Sequence, residues 1–126
     1  MPIVFVLNRS NSRRSSLEDR LVGEGYHTLA MKNADEAIQT LNCVRADLLV
    51  VDLNAVSHDA ERFLANLRSN PTYRQLPIIF VGAGLADCRQ LKPALRPGGI
   101  LMEGQSMDDV MLNVRSFVAP LTEPYN

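Results

Sequence analysis

The hydrophobic and polar positions of this chain form two patterns, short apolar runs and longer amphipathic stretches. The clearest apolar run, Leu48–Asp52, consists of four apolar residues followed by one carboxylate. A run of this kind is typical of a central strand in a parallel sheet, because both faces of such a strand are buried. Ligands of open α/β sheets bind at the carboxyl ends of the strands, so the pattern places Asp52 at the expected functional edge.

Apolar runs predict five strands, and apolar residues at helical spacing predict helices between and after them. The predicted strands are Ile3–Leu7, 26–31, Leu48–Asp52, 77–81 and 100–102. The predicted buried helix faces are Leu17, Leu21 and Val22; Ala37, Ile38 and Leu41; Ala60, Phe63, Leu64 and Leu67; and Met107, Val110, Met111, Val114, Phe117 and Val118. A further short helix is expected at 86–95, where Pro93 must shorten or bend it.

Polar residues, glycine and proline predict where these helices begin and end. Capping-box patterns at 15–18 and 33–36 predict the starts of the first and second helices. The glycines within 23–25 are expected to end the first helix, and the Asn-Pro pair at 70–71 to end the third.

Five βα units in succession predict an α/β fold of the doubly wound (βα)5 type. Parallel strands need right-handed crossovers, so the prediction is a parallel five-stranded sheet with helices on both faces. The predicted domain covers residues 1–119, and residues 120–126 are expected to form a tail or the start of a linker.

Composition narrows the functional classes. The chain has 126 residues, 46% of them hydrophobic, and a formal net charge of −1, so nucleic acid is not expected as a partner. No apolar run reaches the ~18 residues of a membrane span. Cys43 and Cys88 lack metal-site spacing and are expected to be reduced thiols. With the first strand beginning directly at the amino terminus, a cytoplasmic location is expected.

Several motifs carry a family resemblance. They are the Gly25-Tyr26 pair entering the second strand, DLLVVDL at 47–53, LPIIFVGA at 76–83, and the strand at 99–102. In this order and spacing the chain resembles the receiver domain of two-component response regulators over nearly all of its length. The resemblance implies the flavodoxin-like strand order 2-1-3-4-5.

The resemblance also implies a particular chemistry, phosphoryl transfer to an aspartate. In the family, an acidic pair and the acceptor aspartate hold Mg²⁺, while a Thr or Ser and a Lys bind the phosphoryl oxygens. Asp52 matches the phosphoacceptor position. Leu7 and Asn8 replace the acidic pair, Gly82 replaces the hydroxyl residue, and Glu103 replaces the lysine.

These replacements predict a weakened phosphorylation site. The remaining magnesium ligands would be Asp52, the amide of Asn8 and a group near Asn54, so Mg²⁺ binding should be weak and no other cofactor is expected. Glu103 turns an attraction for the phosphoryl group into a repulsion, worth several kcal/mol at ~4–5 Å and an effective dielectric of about 20. The chain is therefore interpreted as a degenerate receiver, or pseudo-receiver, that is not an enzyme.

Such a module would work through protein contacts. The resemblance implies a carboxy-terminal face, formed by the predicted helix at 86–95, the strand at 100–102 and the last helix. Its expected residues are Arg89, Lys92, Arg96, Ile100 and Arg115. The expected partner is a histidine kinase, an output domain or a second copy related by two-fold symmetry.

Other functions stay open at this point. The chain could be an active receiver that a histidine kinase phosphorylates on Asp52. It could also be a small-ligand or nucleotide-binding domain of flavodoxin-like architecture, using the loops after Asp52 and Gly82, although fold alone does not license that. A cation site of a different kind, made by Asp52, Glu103 and Asn8, is a further alternative.

Overall fold

A computed structural model of the protein describes residues 2–8, 11–52, 60–81, 99–102 and 107–118. The strands are β1 (Ile3–Leu7), β2 (His27–Met31), β3 (Leu48–Asp52), β4 (Ile78–Val81) and β5 (Gly99–Met102). The helices are α1 (Asn11–Gly23), α2 (Ala34–Leu41), α3 (Ala60–Ser69) and α4 (Met107–Phe117), with a 3₁₀ turn at Pro71–Tyr73.

The strands form one parallel sheet in the order β2-β1-β3-β4-β5. This confirms the predicted parallel α/β architecture. The helix predicted at 86–95 and the tail at 120–126 lie outside the described residues. The helix α4 therefore corresponds to the last predicted helix, the one that follows the fifth strand.

The sheet carries a hydrophobic core on each face, as expected for helices on both sides. One core joins Phe5, Leu7, Leu49, Val51, Ile78 and Phe80 of the sheet to α2 and α3 through Ala37, Leu41, Phe63, Leu64 and Leu67. The other joins Val4, Val6, Leu48, Val50 and Ile79 to α1 and α4 through Leu17, Leu21, Val110, Met111 and Val114. Alternate residues of each strand point to opposite faces, which explains why a continuous apolar run supplies both cores.

The end of α1 follows the sequence signal closely. Gly25 has a φ of 94°, in the left-handed region that favours glycine. Its N–H donates to the Val22 carbonyl oxygen at 3.1 Å, and the Tyr26 N–H donates to the Leu21 carbonyl oxygen at 3.0 Å. These two bonds form a Schellman motif, which ends the helix and directs the chain into β2.

Two expectations about α1 were wrong. The helix begins at Asn11, so Ser15 lies inside it and not at its amino-terminal cap. Val22, expected in the buried stripe, is 59% exposed, while Leu17 and Leu21 are buried. These two are four residues apart and share one narrow face, and Val22 is turned about 100° away from Leu21.

The predicted start of α2 is confirmed. The Asn33 side chain accepts a hydrogen bond from the Glu36 N–H at 2.8 Å, and the Glu36 carboxylate accepts one from the Lys32 N–H at 2.8 Å. Both bonds satisfy backbone N–H donors that would otherwise be unpaired, one in the first turn of α2 and one just before the helix.

Candidate functional site

Asp52 is the last residue of β3, and the structure confirms the strand that the sequence predicts there. Its backbone is paired with Val81 at the carboxyl end of β4. Only 3% of the residue is exposed. The carboxylate therefore lies at the edge where open α/β sheets bind ligands, but within the protein and not in open solvent.

Asn8 lies beside Asp52 at the same edge. β1 and β3 are in register, with Leu7 opposite Val51, and Asn8 and Asp52 each follow by one residue. The Asn8 N–H donates to the Met31 carbonyl oxygen at 3.1 Å, which continues the β1–β2 pairing by one step. Asn8 is 2% exposed. The two side chains thus end neighbouring strands side by side.

Burial distinguishes this pair from the other polar residues. Tyrosines apart, Asn8 and Asp52 are the only buried polar residues among those whose burial the structure describes. Each has further interaction partners in the fold, as buried polar groups require. Their position and burial make them the candidate functional site.

The described residues do not fit a strong magnesium site. Leu7, at the other position of the expected acidic pair, is 0% exposed and packs in the core with Phe5 and Met31. Across the described part of the chain, no group of three or more His, Cys, Asp or Glu side chains could hold a metal ion. One carboxylate and one neutral amide are a poor set for Mg²⁺, which prefers several charged oxygens and water.

Much of the predicted site and face lies outside the described residues. This applies to Asn54, Gly82 and Glu103 around Asp52, and to Arg89, Lys92 and Arg96 on the carboxy-terminal face. Ile100 is described in its backbone, where it pairs with Ile79 of β4. The alternative cation site that includes Glu103 therefore stays a prediction.

Arg115 is described in full, and it contacts the α1 side of the molecule. Its Nε donates to one carboxylate oxygen of Glu24 at 2.7 Å, and its terminal nitrogen donates to the other at 3.1 Å. The hydrogen bond from Arg115 lowers the pKa of Glu24 and raises the pKa of Arg115. A second ion pair, Arg20 to Asp108 at 2.7 Å, lies on the same side of α4.

The helix α4 therefore has two different flanks, one on each side of its buried stripe. Asp108 and Arg115 are seven residues apart, two turns of helix, and both are turned towards α1. Asp109 and Asn113 lie on the other side of the buried stripe, one turn apart, where the Asn113 amide donates to the Asp109 carbonyl oxygen at 3.0 Å. No local pattern predicts the Glu24–Arg115 pair, because its members are 91 residues apart.

Comparison with known proteins supports the architecture. No protein-family model and no curated protein matches the sequence. Solved structures do match: the receiver domain of a signal transduction histidine kinase from Syntrophus aciditrophicus has a TM-score of 0.81 at 18% identity, covering 100% of this chain and 96% of its own. The chemotaxis response regulator CheY4 of Vibrio cholerae has a TM-score of 0.80 at 19% identity, covering 94% and 99%. The chain has the receiver fold.

Another receiver domain, from a sensor histidine kinase of Pseudomonas aeruginosa, matches with a TM-score of 0.78 at 14% identity, covering 92% of this chain and 96% of its own. At such identities the likeness concerns the receiver fold, and function has to be argued from the residues of the site. None of the described helices is both long and apolar enough to span a bilayer.

Proposed function

We propose that this chain is a degenerate receiver, an interaction module that does not depend on a stable aspartyl phosphate. The observation that carries this proposal is the buried pair Asn8 and Asp52. At the edge of the sheet where a phosphorylated receiver needs several carboxylates, the described residues supply one carboxylate and one amide.

The energetic argument concerns charge. An aspartyl phosphate places additional negative charge at Asp52, and a nearly buried site offers little water to solvate that charge. Family members neutralise it with a metal and a lysine, whereas this sequence has a neutral Asn8 and an acidic Glu103. The phosphorylated state therefore lacks the contacts that would favour it, and a modification without such contacts shifts no equilibrium.

The function of the module is then binding. Its proposed partner is a protein, namely a histidine kinase, an output domain or a second copy, and its proposed location is the cytoplasm. The proposed binding surface is the carboxy-terminal face. Because Arg115 is held by Glu24, α4 would contribute Asp109 and Asn113 to that face in place of Arg115.

A direct experiment tests the loss of the switch. The protein is incubated with a small phosphodonor and Mg²⁺, or with beryllofluoride, and intact-mass and fluorine NMR measurements look for a product on Asp52. We expect no stoichiometric product from the natural sequence. A stoichiometric acyl phosphate at millimolar Mg²⁺ would contradict the proposal.

A reconstructed site provides the matched control. The triple variant Asn8→Asp, Gly82→Thr and Glu103→Lys restores one carboxylate of the acidic pair, the hydroxyl and the lysine that the family uses. We expect this variant to form the product, and we expect Asp52→Asn in the same background to abolish it. If the reconstructed protein folds and still does not react, the loss of these three groups is not the cause.

An active receiver is the second candidate. It is favoured by the position of Asp52 in a receiver fold, and by the Pseudomonas aeruginosa neighbour, which holds a magnesium ion in its active-site cleft. The same phosphodonor experiment separates the two. The small-ligand alternative at the loops after Asp52 and Gly82 concerns residues outside the described ranges and stays a prediction.

A further inference from the structure

A cleft lies at the opposite edge of the sheet from Asp52. It has a volume of about 440 Å³ and lies between the chain segment that enters β3 and the segment that enters β4. Its lining residues are Arg45, Ala46, Asp47, Pro71, Thr72, Arg74, Gln75, Leu76 and Pro77. β3 separates this cleft from Asp52 by about 16 Å, at ~3.3 Å per residue, so the two are different sites.

Two arginines give the cleft its charge. Arg45 comes from the segment before β3 and Arg74 from the segment before β4, and both are exposed. Neither forms an ion pair or hydrogen bond with any side chain in the described ranges. The one acid of the lining, Asp47, already accepts a hydrogen bond from the Ile3 N–H at 2.8 Å. Two arginines and one aspartate leave a formal charge of +1.

The walls of the cleft are held by hydrogen bonds, one of them fully buried. The Tyr73 hydroxyl donates to the Leu41 carbonyl oxygen at 2.6 Å, which fixes the 3₁₀ turn against the end of α2. Arg68 donates to the carbonyl oxygens of Tyr73 at 3.1 Å and Leu76 at 2.8 Å. The segment that carries Arg74 is therefore positioned without a ligand, and a preformed site spends less free energy on ordering.

We propose that this cleft binds a small phosphorylated molecule. The planar guanidinium group presents paired donors that match phosphate oxygens, and a phosphate monoester has enough oxygens to engage both Arg45 and Arg74. The net positive lining favours an anion. The volume lies within the ordinary range for small-molecule sites, ~300–1,000 Å³, and the exposed Pro71 supplies apolar surface for the remainder of the ligand.

Amide NMR titration with four probes tests the proposal. Inorganic phosphate and adenosine monophosphate should both cause saturable shifts at Arg45, Thr72, Arg74 and Gln75. Adenosine and citrate should bind at least tenfold more weakly than adenosine monophosphate. Tighter binding of the monophosphate than of phosphate would identify the ligand as an organic phosphate; the reverse order would identify free phosphate.

Variants locate the interaction. Arg45→Gln and Arg74→Gln should each weaken monophosphate binding about tenfold, the value of one charge-assisted hydrogen-bonded contact. Arg62→Gln, on an exposed position of α3, should leave it unchanged, and so should Asp52→Asn, which makes this test independent of the phosphodonor experiment. Shifts located elsewhere, equal binding of adenosine, or full affinity in both cleft variants would overturn the proposal.

Discussion

Asn8 and Asp52 are each placed by the backbone pairing of a central strand. Neither position can move without disturbing β1 or β3, whose residues fill both cores. The consequence is a rigid edge at which a change of a single side chain alters charge without altering shape. Substitutions at Asn8 therefore report on the electrostatics of the site more directly than substitutions in the surrounding loops would.

The variant Asn8→Asp is predicted to make stability depend on magnesium. A second buried carboxylate beside Asp52 should lower the free energy of unfolding by about 2 kcal/mol in the absence of metal, because like charges then share a poorly solvated edge. Adding Mg²⁺ should recover part of this loss, whereas the natural protein should not respond. Urea unfolding with and without Mg²⁺ measures both effects.

The exchanged pair Asn8→Asp with Asp52→Asn is the control for that prediction. It has the same composition as the natural site and a single carboxylate, so its stability should return towards the natural value and its magnesium response should disappear. Equal magnesium responses in the natural protein, the single variant and the exchanged pair would contradict the charge argument.

At the scale of elements, the 3₁₀ turn is attached to α2 by one buried hydroxyl. Tyr73 donates to the Leu41 carbonyl oxygen at 2.6 Å and lies 3.4 Å from that of Val44. Burial raises the pKa of Tyr73, and the charge of Arg45 opposes this in part. Burial therefore favours the protonated phenol in the folded state, and this is the form that donates a hydrogen to the carbonyl.

Tyr73→Phe is predicted to cost about 1–2 kcal/mol of stability, since it removes a donor from a buried carbonyl group. The pH dependence follows from the raised pKa of Tyr73: the hydroxyl contributes fully below the usual tyrosine pKa of about 10, and the contribution is lost as the pH rises through the higher folded-state pKa. The difference between the two proteins should therefore be constant below pH ~10 and shrink above it. Chemical unfolding across this range provides the measurement, and a constant difference at every pH would contradict the assignment.

The sequence was informative about elements wherever a face is buried. β3 is apolar up to its last residue, Asp52, because both faces are covered, and the Asn33 cap and the Gly25 turn each have a local chemical signature. The start of α1 was misjudged because its first turns, NSRRSS, contain no apolar residue and therefore no periodic signal. The prediction that Val22 is buried was wrong because an apolar residue next to Leu21 fits the sequence pattern of a wider buried stripe equally well.

Features that depend on tertiary contact could not be predicted in the same way. The position of Asp52 follows from one strand, and that of Asn8 from the end of another. In contrast, the cleft joins Arg45 to Arg74, and the Glu24–Arg115 pair joins residues that are far apart in sequence. No local periodicity records such contacts, since they arise only when separate βα units meet.

For the whole molecule, the flanks of α4 predict how copies would associate. We expect self-association to use the carboxy-terminal face and to involve the flank with Asp109, not the flank that Glu24 occupies. Asp109→Lys should raise the dissociation constant about fivefold, the equivalent of ~1 kcal/mol for a charge near an interface. Sedimentation velocity across a concentration series measures the change.

Arg115→Glu and Glu24→Gln are the comparison for that experiment. Both remove the same ion pair, and only the first changes the charge of α4. Both should associate as the natural protein does. Weaker association of Arg115→Glu alone would assign Arg115 to the interface, and a natural protein that stays monomeric at all concentrations would exclude self-association as its mode of action.

The packing of α4 against the core that it shares with α1 has a consequence for the folding of the chain during its synthesis. Leu17, Leu21 and Tyr26 near the start of the chain share one core with Val110, Met111 and Val114, and the Tyr26 hydroxyl donates to the Val118 carbonyl oxygen at 2.6 Å. A nascent chain that has not yet released α4 from the ribosome therefore leaves part of this apolar face of the sheet uncovered. We expect the domain to become stable only when this helix has emerged and can close the core.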